Sequence, residues 1–271
     1  MMKPRKSQEK QKNPQTAAVQ KNPVFFYLLV RSWNAFEYFD RCIDSIFSQT
    51  YPHYQILFVD DCSNYTLEQK KYIKQKLRSH IVVFNTVRKW SIRNAYEMIH
   101  DFAVNPDAVV FSLDSDDWMS NPKALAIVAT TYTTNQCLYT YGNCNIWLDE
   151  AKKIISSHAF DSYANTAYSK NDLTSKKLRS VPFRPLHPRT WKVSLFKKIP
   201  KSYYLDSDHH WLRFCEDMAI FFPIMELAPT SGKVIKAVLT TYTVSVKRND
   251  ASVSLIETLK DEIYIRKFQH A

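Results

Sequence analysis

The segment FSLDSDDWM, residues 111–119, ends an apolar run in Asp114, Asp116 and Asp117. A second apolar run, QILFVDDCS, ends in Asp60 and Asp61. Carboxylates gathered at one edge of a fold repel one another unless a cation or hydrogen-bond donors offset them. Hard divalent ions such as Mg2+ and Mn2+ take carboxylate oxygens, keep waters and share themselves with substrate phosphates. The Ser115 spacer lets Asp114 and Asp116 point the same way off an extended segment, one toward a nucleotide and one toward a metal. A single Asp pair would read as a turn or a helix cap. Two pairs at successive positions read as a metal and diphosphate site.

Such a site needs a frame, and the hydrophobic pattern supplies one. FFYLLV (25–30), QILFVDD (55–61), HIVVFN (80–85) and AVVFSLD (108–114) read as buried strands. Between them, FEYFDRCIDSIFSQ, LEQKKYIKQKLR and SIRNAYEMIHDFA have helical spacing. Strands separated by helices imply right-handed crossovers and a mainly parallel sheet in an α/β fold. In open parallel sheets the ligand lies beyond the C-terminal strand ends, where both acidic clusters fall. Further on, NPKALAIVATTYTTN reads as a helix with Asn121 as its cap, and LYTYGNCNIW as a strand. Residues 148–188 read as a long polar loop or flap. TWKVSLFKK and HHWLRFCEDMAIFFPIMELA read as helices, and KVIKAVLTTYTVSV as a closing strand.

At 271 residues and 45% hydrophobic content, the chain can bury a large core. It contains no run of 18 apolar residues and no secretory h-region at its start, from which a cytoplasmic location is expected. Five dispersed cysteines without a CxxC pair predict neither a disulfide framework nor a zinc site. His209-His210, seven residues before Asp217, could line the acceptor side and is a weak signal for metal, for want of a carboxylate at ligand spacing. The net charge of +11 is uneven. Residues 1–23 carry six Lys or Arg against one Glu and read as a disordered basic tail. Residues 176–201 carry nine Lys or Arg and no acid, so this face suits an anionic partner such as a phosphate or an acidic membrane surface.

The ordered set FFYLLVRSWN, SIFSQTY, QILFVDDCS, SIRNA, FSLDSDDWM and CEDMAIF resembles the family 2 inverting glycosyltransferases of the GT-A fold, over Val24 to Val246. The resemblance implies a Rossmann-like, mixed but mainly parallel sheet flanked by helices. Residues 24–147 would form its nucleotide-sugar half and residues 148–271 its acceptor half. It implies that Asp61 accepts N3–H of uracil or a similar base, that Ser32 and Asn34 border the nucleoside, and that Asp114 faces the ribose or sugar. Asp116 would ligate Mn2+ or Mg2+ on the diphosphate, with Asp117 in support. Arg93 would order that loop or meet the donor. Asp217 would be the general base, with Lys247 or Arg248 stabilising the leaving group. The donor would be a nucleotide-sugar, a UDP-sugar in the favoured reading, and the acceptor a glycan, a lipid-linked molecule or a protein. The sequence departs from the family pattern at Arg31, where Pro is usual, at Cys62, where Gly is usual, and in lacking a late His within TYTVSVKRNDAS.

Two other classes compete. A nucleotidyltransferase would want a Gly-rich loop after the first strand, and RSWNAFEYFD has none. A non-catalytic nucleic-acid or glycan-binding protein suits the basic pI of 9.3, yet clustered acids and the absence of a recognisable motif argue against specific nucleic-acid binding.

Overall fold

The computed structural model describes residues 22–175, 177–245 and 250–267. The basic tail, except its last residues, lies outside these, as do Lys247 and Arg248. The first half alternates as expected: β1 (Phe26–Ser32), α1 (Phe36–Phe47), β2 (Tyr54–Asp60), α2 (Leu67–Lys76), β3 (Ile81–Phe84), α3 (Trp90–Phe102) and β4 (Val109–Asp114). Then follow β5 (Trp118–Met119), α4 (Ala124–Asn135), β6 (Tyr139–Leu148), β7 (Lys153–Ser156), α5 (Ser157–Phe160) and α6 (Lys170–Thr174). The chain continues through β8 (Arg189–Lys192), α7 (Val193–Phe196), α8 (Glu216–Leu227), β9 (Gly232–Val244) and α9 (Asp250–Lys267).

One sheet in the order β3-β2-β1-β4-β8-β6-β9-β5 joins both halves of the chain, with β7 added to β6. The run β3-β2-β1-β4 is parallel, and β8 enters antiparallel between β4 and β6. The mixed α/β architecture expected from the pattern is therefore present. Alternation along β1 shows why its sequence is apolar from Phe26 to Val30. Phe26, Leu28 and Val30 pack under α1 and α4 with Phe39, Ile43 and Val128. Tyr27 and Leu29 face the other layer, with Ile92, Met98 and Phe222 from α3 and α8. A strand covered on both faces has no polar side to show.

Three expectations need correction. Residues 148–188 are not structureless: they hold β7, α5, α6 and a 3-10 turn at Leu178–Ser180. TWKVSLFKK opens as strand, because Val110 pairs Trp191 and Phe111 pairs Thr190. The helix read from His209 starts only at Glu216, since Cys215 takes the left-handed conformation at φ 54° and interrupts any earlier turn. α9, which the pattern does not announce, closes against α8 and the Leu178–Ser180 turn.

Candidate active site

Strand register assembles the acidic edge. Ser32 pairs Asp60 and Arg31 pairs Asp114, so the C-terminal ends of β1, β2 and β4 finish side by side. An open cleft lies beyond them, lined by Arg31, Ser32, Trp33, Asp61, Asp114 and Asp116 among others. Across it, β9 contributes Tyr242 and Thr243.

The Asp-x-Asp turn is held from behind. Asp116 offers its backbone carbonyl to Thr243 Oγ1 at 2.6 Å and to Arg41 Nη2 at 2.9 Å, leaving its side chain on the cleft wall. Arg41 lies 3.7 Å over the ring of Trp118, which fixes that cation in turn. Asp117 is buried, and its Oδ1 accepts the Thr243 N–H at 2.7 Å. Burial, with Asp116 and Asp114 nearby, pushes the Asp117 carboxyl well above the usual carboxylate range. His187 Nδ1 stands 3.9 Å from Asp117 Oδ2, too far for a hydrogen bond, and its ring stacks on Tyr242 at 4.4 Å. Burial holds His187 well below the usual imidazole value, hence neutral. The buried imidazole beside this turn thus comes from the segment before β8, not from the late strand where the family pattern places one.

The opposite end of the cleft is aromatic and cationic. The Arg88 guanidinium is sandwiched 3.6 Å from the Trp33 ring and 3.7 Å from the Trp90 ring. Asp61 sits behind this stack and accepts from Asn85 Nδ2 at 3.1 Å, Lys89 N–H at 2.7 Å and Trp90 N–H at 2.9 Å. It therefore fastens the start of α3 while lining the cleft. Ser32 Oγ hydrogen-bonds Tyr65 OH at 2.7 Å. Asn34 is exposed, and its Oδ1 accepts the Asn64 N–H at 3.0 Å, bracing the loop after β2. From α3, the residues on the cleft are Trp90, Ser91 and Asn94. Arg93 turns to Glu97 at 2.7 Å on the neighbouring helix face.

Arg31 links this cleft to α8. It is buried inside β1, and its guanidinium meets Asp114 at 2.9 Å, Ser112 Oγ at 3.0 Å and Glu216 at 2.5 Å. Burial alone would lower its pKa, but Asp114 and Glu216 reverse that and keep it charged. Arg189, also buried, stands 3.7 Å from Glu216 and 3.6 Å from Asp217. The chain of charges Asp114, Arg31, Glu216, Arg189, Asp217 runs from the Asp-x-Asp turn to the first turn of α8. Burial raises the Asp217 carboxyl, with Arg189 opposing. Its side chain keeps 31% exposure, so solvent tempers that rise.

Sequence reasoning passed over Arg31 as a working residue, and Arg88, Trp90, Tyr242 and Arg189 entirely. A charge within the apolar run FFYLLVRS was the available signal for Arg31, because a buried charge demands partners. The metal geometry also differs from a simple three-acid reading. Among the described residues, the group of three whose ligand atoms lie within 4.8 Å of one another is Asp206, Asp208 and His210, on the loop before α8. Carboxylates thus do come within ligand spacing of His210, contrary to expectation. Asp114 is instead drawn to Arg31, and Asp117 to Thr243.

The mixed α/β fold is that of solved GT-A glycosyltransferases. GalNAc-T7, solved with UDP, GalNAc and Mn2+, superposes at TM-score 0.63 and 16% identity, covering 91% of this chain and 48% of that one. A TarS fragment of S. aureus with UDP-GlcNAc gives TM-score 0.57 at 16% identity, over 85% of this chain and 61% of that one. The mannosyltransferase PcManGT of Pyrobaculum calidifontis, solved with GDP-Man and Mn2+, gives 0.55 at 13% identity, over 94% and 70%. The chain belongs to glycosyl transferase family 2, whose sequence profile matches residues 27–199. No curated protein matches it in sequence. It spans 60% of the TarS fragment and 37% of the longer TarS structure.

Proposed function

We propose that the enzyme moves a sugar from a nucleoside diphosphate-sugar, with UDP as the nucleotide, to a hydroxyl of a glycan, lipid-linked or protein acceptor, with inversion. The observation that carries this reading is the chain of charges from Asp114 through the buried Arg31, Glu216 and the buried Arg189 to Asp217, which couples a donor-side acid to an acceptor-side acid. The Trp33, Arg88 and Trp90 stack with Asp61 offers the nucleoside planar and polar contacts. Asp217 accepts the acceptor hydroxyl proton while that oxygen bonds to the anomeric carbon and the carbon–diphosphate bond breaks on the far face.

The donor set at the cleft fits a hard cation. Asp116 presents a carboxylate from a turn fixed through its own carbonyl, and the buried Asp117 Oδ2 behind it has no hydrogen-bond partner. Asp116 would hold Mn2+ or Mg2+, with the remaining positions left to diphosphate oxygens and water. Bound there, the ion supplies positive charge opposite the departing diphosphate.

The test is thermal unfolding with UDP, GDP, CDP and TDP, each with and without Mn2+, for the wild type and Asp116→Ala. A shift with UDP that needs both Mn2+ and Asp116 is expected, because ligand at 100 times its Kd adds about 2.7 kcal/mol. A larger shift with another nucleotide would reassign the donor. No shift with any would remove the nucleotide-sugar reading.

A further inference from the structure

Trp90, on the cleft, and Cys215, at the start of α8, both take the left-handed backbone conformation, at φ 66° and φ 54°. That conformation strains a bulky aromatic, which keeps it only where its surroundings dictate it. For Trp90 they do so from two sides. From the cleft, Asp61 accepts its N–H at 2.9 Å and the Arg88 guanidinium lies on its ring. From behind, the ring of the buried Phe214 meets it with 5.2 Å between centroids, and the Arg213 guanidinium stands 5.7 Å from it.

The segment behind Trp90 is held in turn by α9. One oxygen of Asp261, Oδ2, accepts the backbone N–H groups of both Arg213 and Phe214, each at 2.9 Å. Three residues earlier on the same helix, the Thr258 carbonyl accepts from Cys215 Sγ at 3.5 Å, at the second left-handed position. The helix has its own anchors further on. Ile265 is buried, Arg179 Nη1 donates to the Ile265 carbonyl, and Arg266 Nη1 donates to the carbonyls of Arg179 and Val181 at 2.8 and 3.1 Å. Asp261 therefore projects from a fastened helix, and taking away its carboxylate strips two backbone donors of their acceptor while the helix stays in place.

We propose that α9 shapes the nucleoside end of the cleft: Asp261 is a positioning residue that, through Arg213 and Phe214, keeps Trp90 in its strained conformation beside Arg88 and Trp33. The helix lies beyond residues 27–199, the span that the family profile matches. The proposal rests on the nucleotide-sugar reading, in which that stack meets the base.

Calorimetric titration of the full chain with UDP and Mn2+, well below the unfolding midpoint, tests it; another nucleoside diphosphate replaces UDP if the unfolding test selects one. Trp90→Ala should weaken binding roughly ten- to hundredfold, the range for losing one contact between a base and an aromatic ring. Asp261→Ala should weaken it roughly three- to tenfold. Asp261→Asn, whose amide oxygen can accept the same two N–H groups, should restore binding to within about twofold of wild type. In the Trp90→Ala background Asp261→Ala should have no further effect, because the residue through which it acts is gone. The proposal is overturned if Asp261→Ala binds like wild type, if Asp261→Asn binds as weakly as the alanine variant, or if the loss persists with Trp90 absent. Should Asp261→Ala not fold, Phe214→Leu carries the same expectation: weaker binding with Trp90 present and no further effect without it. A wild type that binds no nucleoside diphosphate removes the transferase reading and this proposal together. Tight binding shared equally by wild type and variants removes the proposal alone.

Discussion

Asp217 carries the reaction's proton in the proposed mechanism, and its surroundings set the pH at which it can do so. Burial raises its carboxyl above the ordinary 3.8, and Arg189 opposes that rise without cancelling it. A base works only when ionised, so kcat/KM should fall as pH drops through a midpoint above 3.8. Asp217→Asn should cost roughly 10²–10⁴ in rate and erase that acid limb. A limb that survives in the Asn variant would assign the base elsewhere. The stability sign follows from the same shift: a raised carboxyl pKa means that the fold tolerates the ionised form less, so Asp217→Asn should unfold no earlier than wild type at neutral pH. Much of this site was legible as residue types. Asp61, Asp114 and Asp116 reach the cleft because strand ends and acidic pairs coincide, a pattern that is local in sequence. Arg93 and Asn34 were read toward the cleft but face Glu97 and Asn64, because helix phase and turn geometry turn a side chain by more than spacing alone reveals. Arg88 could not be read at all, since its stack requires Trp33 from the far side of two strands.

Elements with a strong period were legible, and elements set by partners were not. β1, β2 and β4 declare themselves as apolar runs because both faces are covered. β8 is four residues long and owes its extended form to pairing with β4 and β6. The start of α8 was misplaced because a left-handed residue, Cys215, interrupts an otherwise helical composition. The chain's scarcity of glycine sharpens one element-level expectation. A Cβ on Gly232, at the start of β9, would stand 2.2 Å from the ring of Tyr139, the residue it pairs on β6. Tyr139 is buried and cannot swing aside. Gly232→Ala should destabilise the fold by roughly 1–3 kcal/mol through overpacking, read as a lower urea midpoint at unchanged slope. Adding Tyr139→Leu should recover part of that loss. If Gly232→Ala is neutral, the β6–β9 seam is looser than this contact implies.

At the scale of the whole molecule, the first and second halves of the chain do not make two separable bodies. β8, from the second half, covers the edge of β4 and carries the fully buried Trp191, which packs with Phe221 of α8. A fragment of residues 22–148 should therefore fail to unfold cooperatively, or should aggregate, although it holds every strand of the parallel run. A soluble fragment with a sharp thermal transition would show that the first half stands alone. The division at residue 147 drawn from the sequence marks two halves of one domain, and the way their strands interleave was not legible, because strand order between distant segments leaves no trace in local periodicity. The inserted strand also has a consequence in time. On the ribosome the edge of β4 waits for some 75 residues, from Asp114 to Arg189, before its partner is made. Until then a six-residue strand, apolar but for Ser112 and Asp114, stands open to any neighbour. Yield in a cell should therefore depend on how well that edge is sheltered while the second half is still being translated, and not on the stability of the finished fold alone.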